Sequence, residues 1–277
     1  MEENTFEHVK TIYLKDPDFT SIFLNRCGAR HVITLQTWCA FLVDTENLEP
    51  VRVDYPAWAW NVAASGGDGP ELTIFFERQN SIVRCEIDPA TGHVTVGDVI
   101  MKHFSHPSPN PPHMITEKAI WYPRDGRGHS LVASRYDRMT ELTGDVSRIT
   151  QTDFFIEGPD GTVYLHRWDV GLMQPHPVDQ PDLVVNYRAI GCNMPMGACF
   201  DDAGKLWVLD EAGPYLFEVN LDGMEVVVHD ISSLHRDAND VKDPSPYPWH
   251  SIVWSDGKLF LGCCDAARID VIRPAGS

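Results

Sequence analysis

The chain alternates short β-branched and aromatic runs with clusters of Gly, Pro, Asp and Asn. No long stretch repeats apolar residues at i, i+3, i+4 and i+7, so the pattern predicts strands rather than helices. The phrase "GACFDDAGKLWVLD", Gly197 to Asp210, is nearly restated as "WHSIVWSDGKLFLG", Trp249 to Gly262. From Gly197 to Asp230 the runs "GACFDD", "KLWVLDE", "YLFEVNL" and "EVVVHD" are joined by Gly-containing turns, which predicts a four-stranded antiparallel meander.

The last unit supplies "HSIVWSD", "KLFLGC" and "RIDVIRP", one strand fewer. The run "HVKTIYLK", His8 to Lys15, is the candidate for the fourth. Earlier units run from "TSIFLNRCGA" to "EPVRVDY" and from "WNVAASGGDG" to "HVTVGDVI". The third, "EKAIWYPRDGRGHSLVASRYD", opens with a clear hairpin and has a weakly patterned outer half. The fourth, "DFFIEGPDGTVYLHRWD", is followed by the proline-rich "VGLMQPHPVDQPD" before "LVVNY". Six units give roughly 45 residues each, the size of a four-stranded propeller repeat. The expectation is one all-β domain over residues 1–277, a six-bladed β-propeller of four-stranded antiparallel blades whose ring is closed by the N-terminal strand.

Composition narrows the partners. A chain of 277 residues with 43% hydrophobic residues can bury a sizeable core, and its formal net charge of -18 disfavours a nucleic-acid partner, which needs a basic face. The N-terminus has neither a basic region nor an apolar segment, and no apolar run approaches the ~20 residues that span a bilayer, so a cytoplasmic protein with no membrane partner is expected. Seven cysteines, mostly inside apolar runs, read as reduced core thiols. No nucleophile elbow, phosphate loop, dinucleotide fingerprint or HExxH helix is present.

The phrases "EKAIWYPRDG", "MPMGACFDDAGKLWVLDEAG" and "WHSIVWSDGKLFLG" resemble blade openings in the senescence-marker-protein/gluconolactonase-like group of six-bladed propellers. In such a fold the first strand of each blade lines a central channel. Aligning the units on their turns places His250 at the channel mouth in the last blade, Met196 in the fifth and Glu117 in the third. Trp60 or Asn61 takes that position in the second. The resemblance implies a divalent metal held partly by a Glu, whose place Glu117 takes. The Gly-Pro that should follow it is absent, so a calcium site rich in oxygen ligands is not supported.

Lyase-like relatives use channel histidines, which suit zinc or a softer metal. His113, Glu117 and His250 form the candidate ligand set, and His166 is placed to reach the same face. Without a metal, Glu117 and His250 form an acid/base pair, with Glu117 desolvated by Trp60, Trp121 and Met196. Arg78, Arg135, Asp210, Glu211 and Asp265 read as second-strand ends on that face. A mouth with both charges and several aromatics suits a small polar or zwitterionic molecule. The resemblance implies a hydrolase or a lyase, cyclase or isomerase; the alternative is a non-catalytic propeller that binds a small ligand or a protein through the same face.

Overall fold

The computed structural model describes residues 6–14, 23–35, 39–59, 62–65, 73–78, 81–102, 114–115, 119–125, 131–137, 139–147, 154–167, 172–176, 184–210, 212–234, 249–263 and 267–275. After β1 (Phe6–Tyr13), the first complete sheet joins β2 (Phe23–Cys27), β3 (His31–Leu35), β4 (Cys39–Asp44) and β5 (Pro50–Asp54). The second joins β6 (Val62–Ser65), β7 (Thr73–Arg78), β8 (Ser81–Ile87) and β9 (Val94–Met101). The third joins β10 (Met114–Ile115), β11 (Ala119–Asp125), β12 (Leu131–Asp137) and β13 (Leu142–Ser147). The fourth joins β14 (Phe154–Glu157), β15 (Val163–Arg167), β16 (Leu172–His176) and β17 (Val185–Asn186). The fifth joins β18 (Pro195–Phe200), β19 (Leu206–Asp210), β20 (Tyr215–Asn220) and β21 (Glu225–Asp230). In the last, β22 (Trp249–Ser255), β23 (Lys258–Cys263) and β24 (Arg268–Pro274) are completed by β1, from the other end of the chain.

Every paired neighbour is antiparallel, and consecutive strands sit side by side, as the hairpin turns dictate. Asp256 and Gly257 both take positive φ, 51° and 68°, the two-residue turn whose twist matches a hairpin and which Asp-Gly tolerates best. In the β18–β19 turn Asp201 accepts the N–H groups of Ala203 and Lys205 at 2.9 Å and the Trp207 indole N–H at 3.0 Å.

The core is divided between sheets. Ile33 and Leu42 meet Val83 and Cys85 between the first and second sheets, and Ile82 meets Ile120 and Tyr122 between the second and third. Trp121 meets Val163, and Tyr164 meets Val208, at the next two seams. Trp207 and Leu209 meet Trp254 and Leu261 between the fifth and sixth. Val253 and Phe260 meet Val32 and Phe41, which returns the succession to the first sheet. The innermost strands β2, β6, β10, β14, β18 and β22 touch in that order, and β22 touches β2. The arrangement is propeller-like. Among the described residues no helix is long and apolar enough to cross a membrane.

The closing strand is joined by more than its ladder. Thr11 Oγ1 of β1 donates to Asp270 Oδ1 at 2.8 Å, and Phe6 meets Trp207 edge-on at 5.8 Å. The expected strand His8–Lys15 is observed as Phe6–Tyr13, paired from Phe6↔Pro274 to Tyr13↔Arg268. Six of the seven cysteines are described, and all six are free and buried. Cys264 lies outside the described residues.

One sequence expectation about the strands is corrected. The run Ala119–Asp125, read as the first strand of the third unit, is its second; the first is β10, a two-residue strand too short to carry a period. A strand, β16, runs through the proline-rich segment of the fourth unit, with Pro175 opposite Tyr164.

Candidate functional site

Because neighbouring strands alternate in direction, the innermost strands begin, the second strands end and the third strands begin on one face, called the front face. His250 is the second residue of β22 on that face. The ladder passes from Trp249↔Cys263 to Ser251↔Gly262 and skips His250. On β18 it passes from Pro195↔Asp210 to Gly197↔Leu209 and skips Met196. On β6 it passes from Val62↔Phe76 to Ala64↔Phe75 and skips Ala63. An extra residue in a ladder bends its strand and re-aims a side chain, and such bulges gather beside active sites. Met196 and His250 thus occupy one equivalent position, as their repeated phrases predict. The second sheet puts Ala63 there, whereas Trp60 and Asn61 precede β6 and lie outside the described residues.

The two bulged residues stand on touching strands. Gly197 makes that approach possible: a Cβ there would lie 3.1 Å from Ile252 Cγ2, 3.2 Å from Ile252 N and 3.3 Å from Ser251 Cα. On the other side, Ser251 Oγ accepts the Leu24 N–H at 3.2 Å, which ties β22 to β2. Trp249 and Ile252 pack toward the fifth sheet although three residues apart, a spacing that follows from the skip at His250. His250 is half-buried between these fixed neighbours.

Asp210, the last residue of β19, and His166 both bond the segment that leads into Met196. Asp210 is buried, with Oδ1 accepting the Met194 and Ala212 N–H groups at 2.9 and 3.0 Å and Oδ2 accepting that of Asn193 at 3.2 Å. It positions the segment leading into Met196. His166 is fully buried, its Nε2 bonded to the Pro195 carbonyl at 3.1 Å and its Nδ1 to the Tyr187 hydroxyl at 2.6 Å. Since a carbonyl only accepts, Nε2 carries the proton and Tyr187 donates to Nδ1. Burial pushes the His166 pKa down to about 3, so the ring is neutral and positions Pro195; it has no nitrogen left for a metal.

The remaining candidates divide as follows. Arg78 is the last residue of β7. Arg135 is the fifth residue of β12, a third strand, opposite Trp121 and Gly144, and is therefore not at a second-strand end. Its placement follows from the one-strand shift in the third sheet. Glu117 lies outside the described residues. His113, Glu211 and Asp265 also lie outside the described residues, His113 immediately before β10. Among the described residues no three His, Cys, Asp or Glu side chains gather to hold a metal ion.

The sequence matches no family model and no curated protein. Solved structures match over nearly the whole chain. A luciferin-regenerating enzyme is 10% identical with a TM-score of 0.62, covering 96% of each chain. A gluconolactonase from Xanthomonas campestris is 12% identical with a TM-score of 0.57, covering 97% of this chain and 93% of that one. The fold is that of a β-propeller. Virginiamycin B lyase from Staphylococcus aureus, solved with quinupristin as a catalytically inactive histidine-to-alanine variant, is 13% identical with a TM-score of 0.51, covering 97% and 99%. At such identities the likeness of this propeller to its neighbours is one of fold.

Proposed function

We propose that the chain is a six-bladed propeller closed by β1 and that it opens cyclic esters of small polar molecules on its front face, by hydrolysis or elimination. His250 is the group that moves the proton. The observation that carries the reading is the skip at His250: the residue is bulged from its ladder, half-buried, and held between the Gly197 contact and the Ser251–Leu24 bond. Hydrolysis and elimination of an ester both need a group that takes up a proton, and an imidazole fixed on a rigid strand supplies one. The named activities of the similar structures, a gluconolactonase and a lyase inactivated by loss of one histidine, support this class. Met196 would form an apolar wall beside the base, and Asp210 and His166 would act as positioning residues behind it.

Activity against a panel of lactones and cyclic depsipeptides tests the reading. His250→Gln should lower kcat roughly 10²-fold or more, with the melting temperature nearly unchanged. Chelator should leave turnover intact if His250 acts as a base; loss of turnover on chelation would favour a metal held by His250 and His113. Full activity in His250→Gln, or a wild-type protein that binds these compounds without turnover, overturns the proposal in favour of a binding module.

A further inference from the structure

The outer strand of a sheet presents a row of unpaired N–H and C=O groups, and proteins guard such edges against stray pairing. Every outer strand but one carries a recognisable guard. Lys10 of β1 reaches the Leu48 carbonyl at 3.0 Å and Glu49 at 2.8 Å, and the β1 ladder is bulged between His8 and Lys10. β5 opens on Pro50, and the next sheet presses against it so closely that a Cβ at Gly92 would lie 1.9 Å from the Arg52 carbonyl oxygen. The β9 ladder is interrupted twice and the β13 ladder once, each time with the extra residue on the outer strand. β17 has only two residues.

β21 has none of these guards. Its ladder runs unbroken from Tyr215↔Asp230 to Asn220↔Glu225, without Pro, Gly, Lys or Arg, and among the described residues no strand lies on its outer side. Val227 and Val228 are 50% and 52% exposed, one on each face of the strand, and Met224 just before it is 40% exposed. His229 turns inward, donating from Nε2 to Glu218 at 3.1 Å and meeting Phe6 edge-on at 4.7 Å, which fixes the strand in place. A regular edge rich in valine is a ready template for another strand.

Charge selects the occupant. Between Lys205 and Arg236 the chain has no Lys or Arg, while Asp222, Glu225 and Asp230 stand exposed at the two ends of the edge. A second copy paired antiparallel in full register would set Glu225 against Asp230 at both ends, and like charges directly opposite destabilise a pair. A strand with a basic residue at each end and β-branched residues between them matches both the acidic ends and the valines.

We propose that β21 is a docking edge for an extended basic segment of another protein, which adds to the fifth sheet as a further strand. Backbone bonds supply the affinity, and Glu225 and Asp230 select the basic ends. The inference concerns the outer rim and is independent of the chemistry assigned to the front face.

Fluorescence anisotropy of a dye-labelled peptide, Lys-Val-Thr-Val-Thr-Lys, titrated with the full chain tests this, with Glu-Val-Thr-Val-Thr-Glu as the acidic control. The basic peptide should bind saturably, roughly tenfold or more tighter than the acidic one, and more weakly as salt rises from about 0.05 M to about 0.5 M. Val227→Lys sets a positive charge in the middle of the edge and should weaken binding of the basic peptide about tenfold. Val99→Lys, the same change on the bulged edge of β9, should bind as the wild type does. Should Val227→Lys fail to fold, hydrogen exchange in the wild type decides, because the basic peptide should slow the amides of β21. Absence of binding, equal binding of the two peptides, equal weakening by Val227→Lys and Val99→Lys, or slowed exchange confined to other strands overturns the proposal. So does a concentration-dependent dimer of the chain alone that Val227→Lys abolishes, which would assign the edge to a second copy.

Discussion

The fifth and sixth sheets and the third sheet perform the same architectural task with very different material. At the seam of the fifth and sixth, Trp207 and Trp254 stack at 6.5 Å with planes 5° apart, and each indole N–H is bonded, to Asp201 at 3.0 Å and to Asp202 at 2.9 Å. Their innermost strands β18 and β22 carry six and seven residues, long enough to hold a skipped residue in a defined place. The third sheet enters through the two residues of β10. A base needs its surroundings fixed on both sides, and those surroundings exist at β22. The difference teaches where to look for chemistry: at the bulged starts of the long innermost strands.

The largest effect is expected from removing β1. Deletion of residues 1–14 strips Phe6 from Trp207, removes the Thr11 bond to Asp270 and leaves β24 as an open edge. The loss should be comparable to the whole stability of a domain, about 5–15 kcal/mol, and the truncated chain should aggregate or unfold without a cooperative transition. A soluble truncation melting at the wild-type temperature would show that the well-packed seam stands without its closing strand.

The same contrast explains what was legible in the sequence. Where a hairpin has long strands and an Asp-Gly or Ala-Gly turn, as at "WSDGKLFLG", alternation and turn chemistry agree, and the equivalence of Met196 with His250 follows from aligning two phrases. Where the innermost strand shrinks to Met114–Ile115, the next apolar run, "AIWYPRD", is the first strong signal and is mistaken for the first strand. That one-strand shift misplaced Arg135. Charge roles were less legible because a buried polar residue is defined by partners distant in the chain: His166 by Tyr187 and Pro195, Asp270 by Thr11 and Trp249. A trace of the second was visible in "RIDVI", which puts Arg268 and Asp270 on one face of an otherwise apolar strand. Glu218 is a further case, since its third-strand position looks inert. Burial alone would raise its carboxyl, yet bonds from Lys205 and His229 hold it below its ordinary range.

A smaller but readable effect is expected from acid, through His166. Its folded pKa of about 3 lies below the ordinary 6.5, so between those values the unfolded chain takes up a proton that the folded chain refuses. This contribution is complete above about pH 6.5 and is lost as the pH falls toward 3, at about 1.4 kcal/mol per pH unit. Gln in its place can still donate to Pro195 O and accept from Tyr187 but does not titrate. Urea midpoints from pH 7 to pH 4 should therefore fall less steeply in His166→Gln than in wild type. Parallel slopes would mean that His166 is not the buried neutral group that holds the start of β18.

The smallest effect, and the sharpest probe of the site, is expected at Gly197. An added Cβ meets two backbone atoms of β22, Ile252 N at 3.2 Å and Ser251 Cα at 3.3 Å, besides the movable Ile252 side chain. Backbone cannot swing aside as a side chain can, so Gly197→Ala must push β18 and β22 apart, at a cost of about 1–3 kcal/mol. The shift falls one residue from Met196 and beside His250, so turnover should drop along with stability even though no reacting group is removed. Gly223→Ala is the control: its Cβ would find only the Glu225 side chain, no nearer than 3.5 Å, and the change should stay within about 0.5 kcal/mol. Equal melting temperatures for the two variants would mean that β18 and β22 are not pressed together at the bulges, and the rigid seat assigned to His250 would lose its main support.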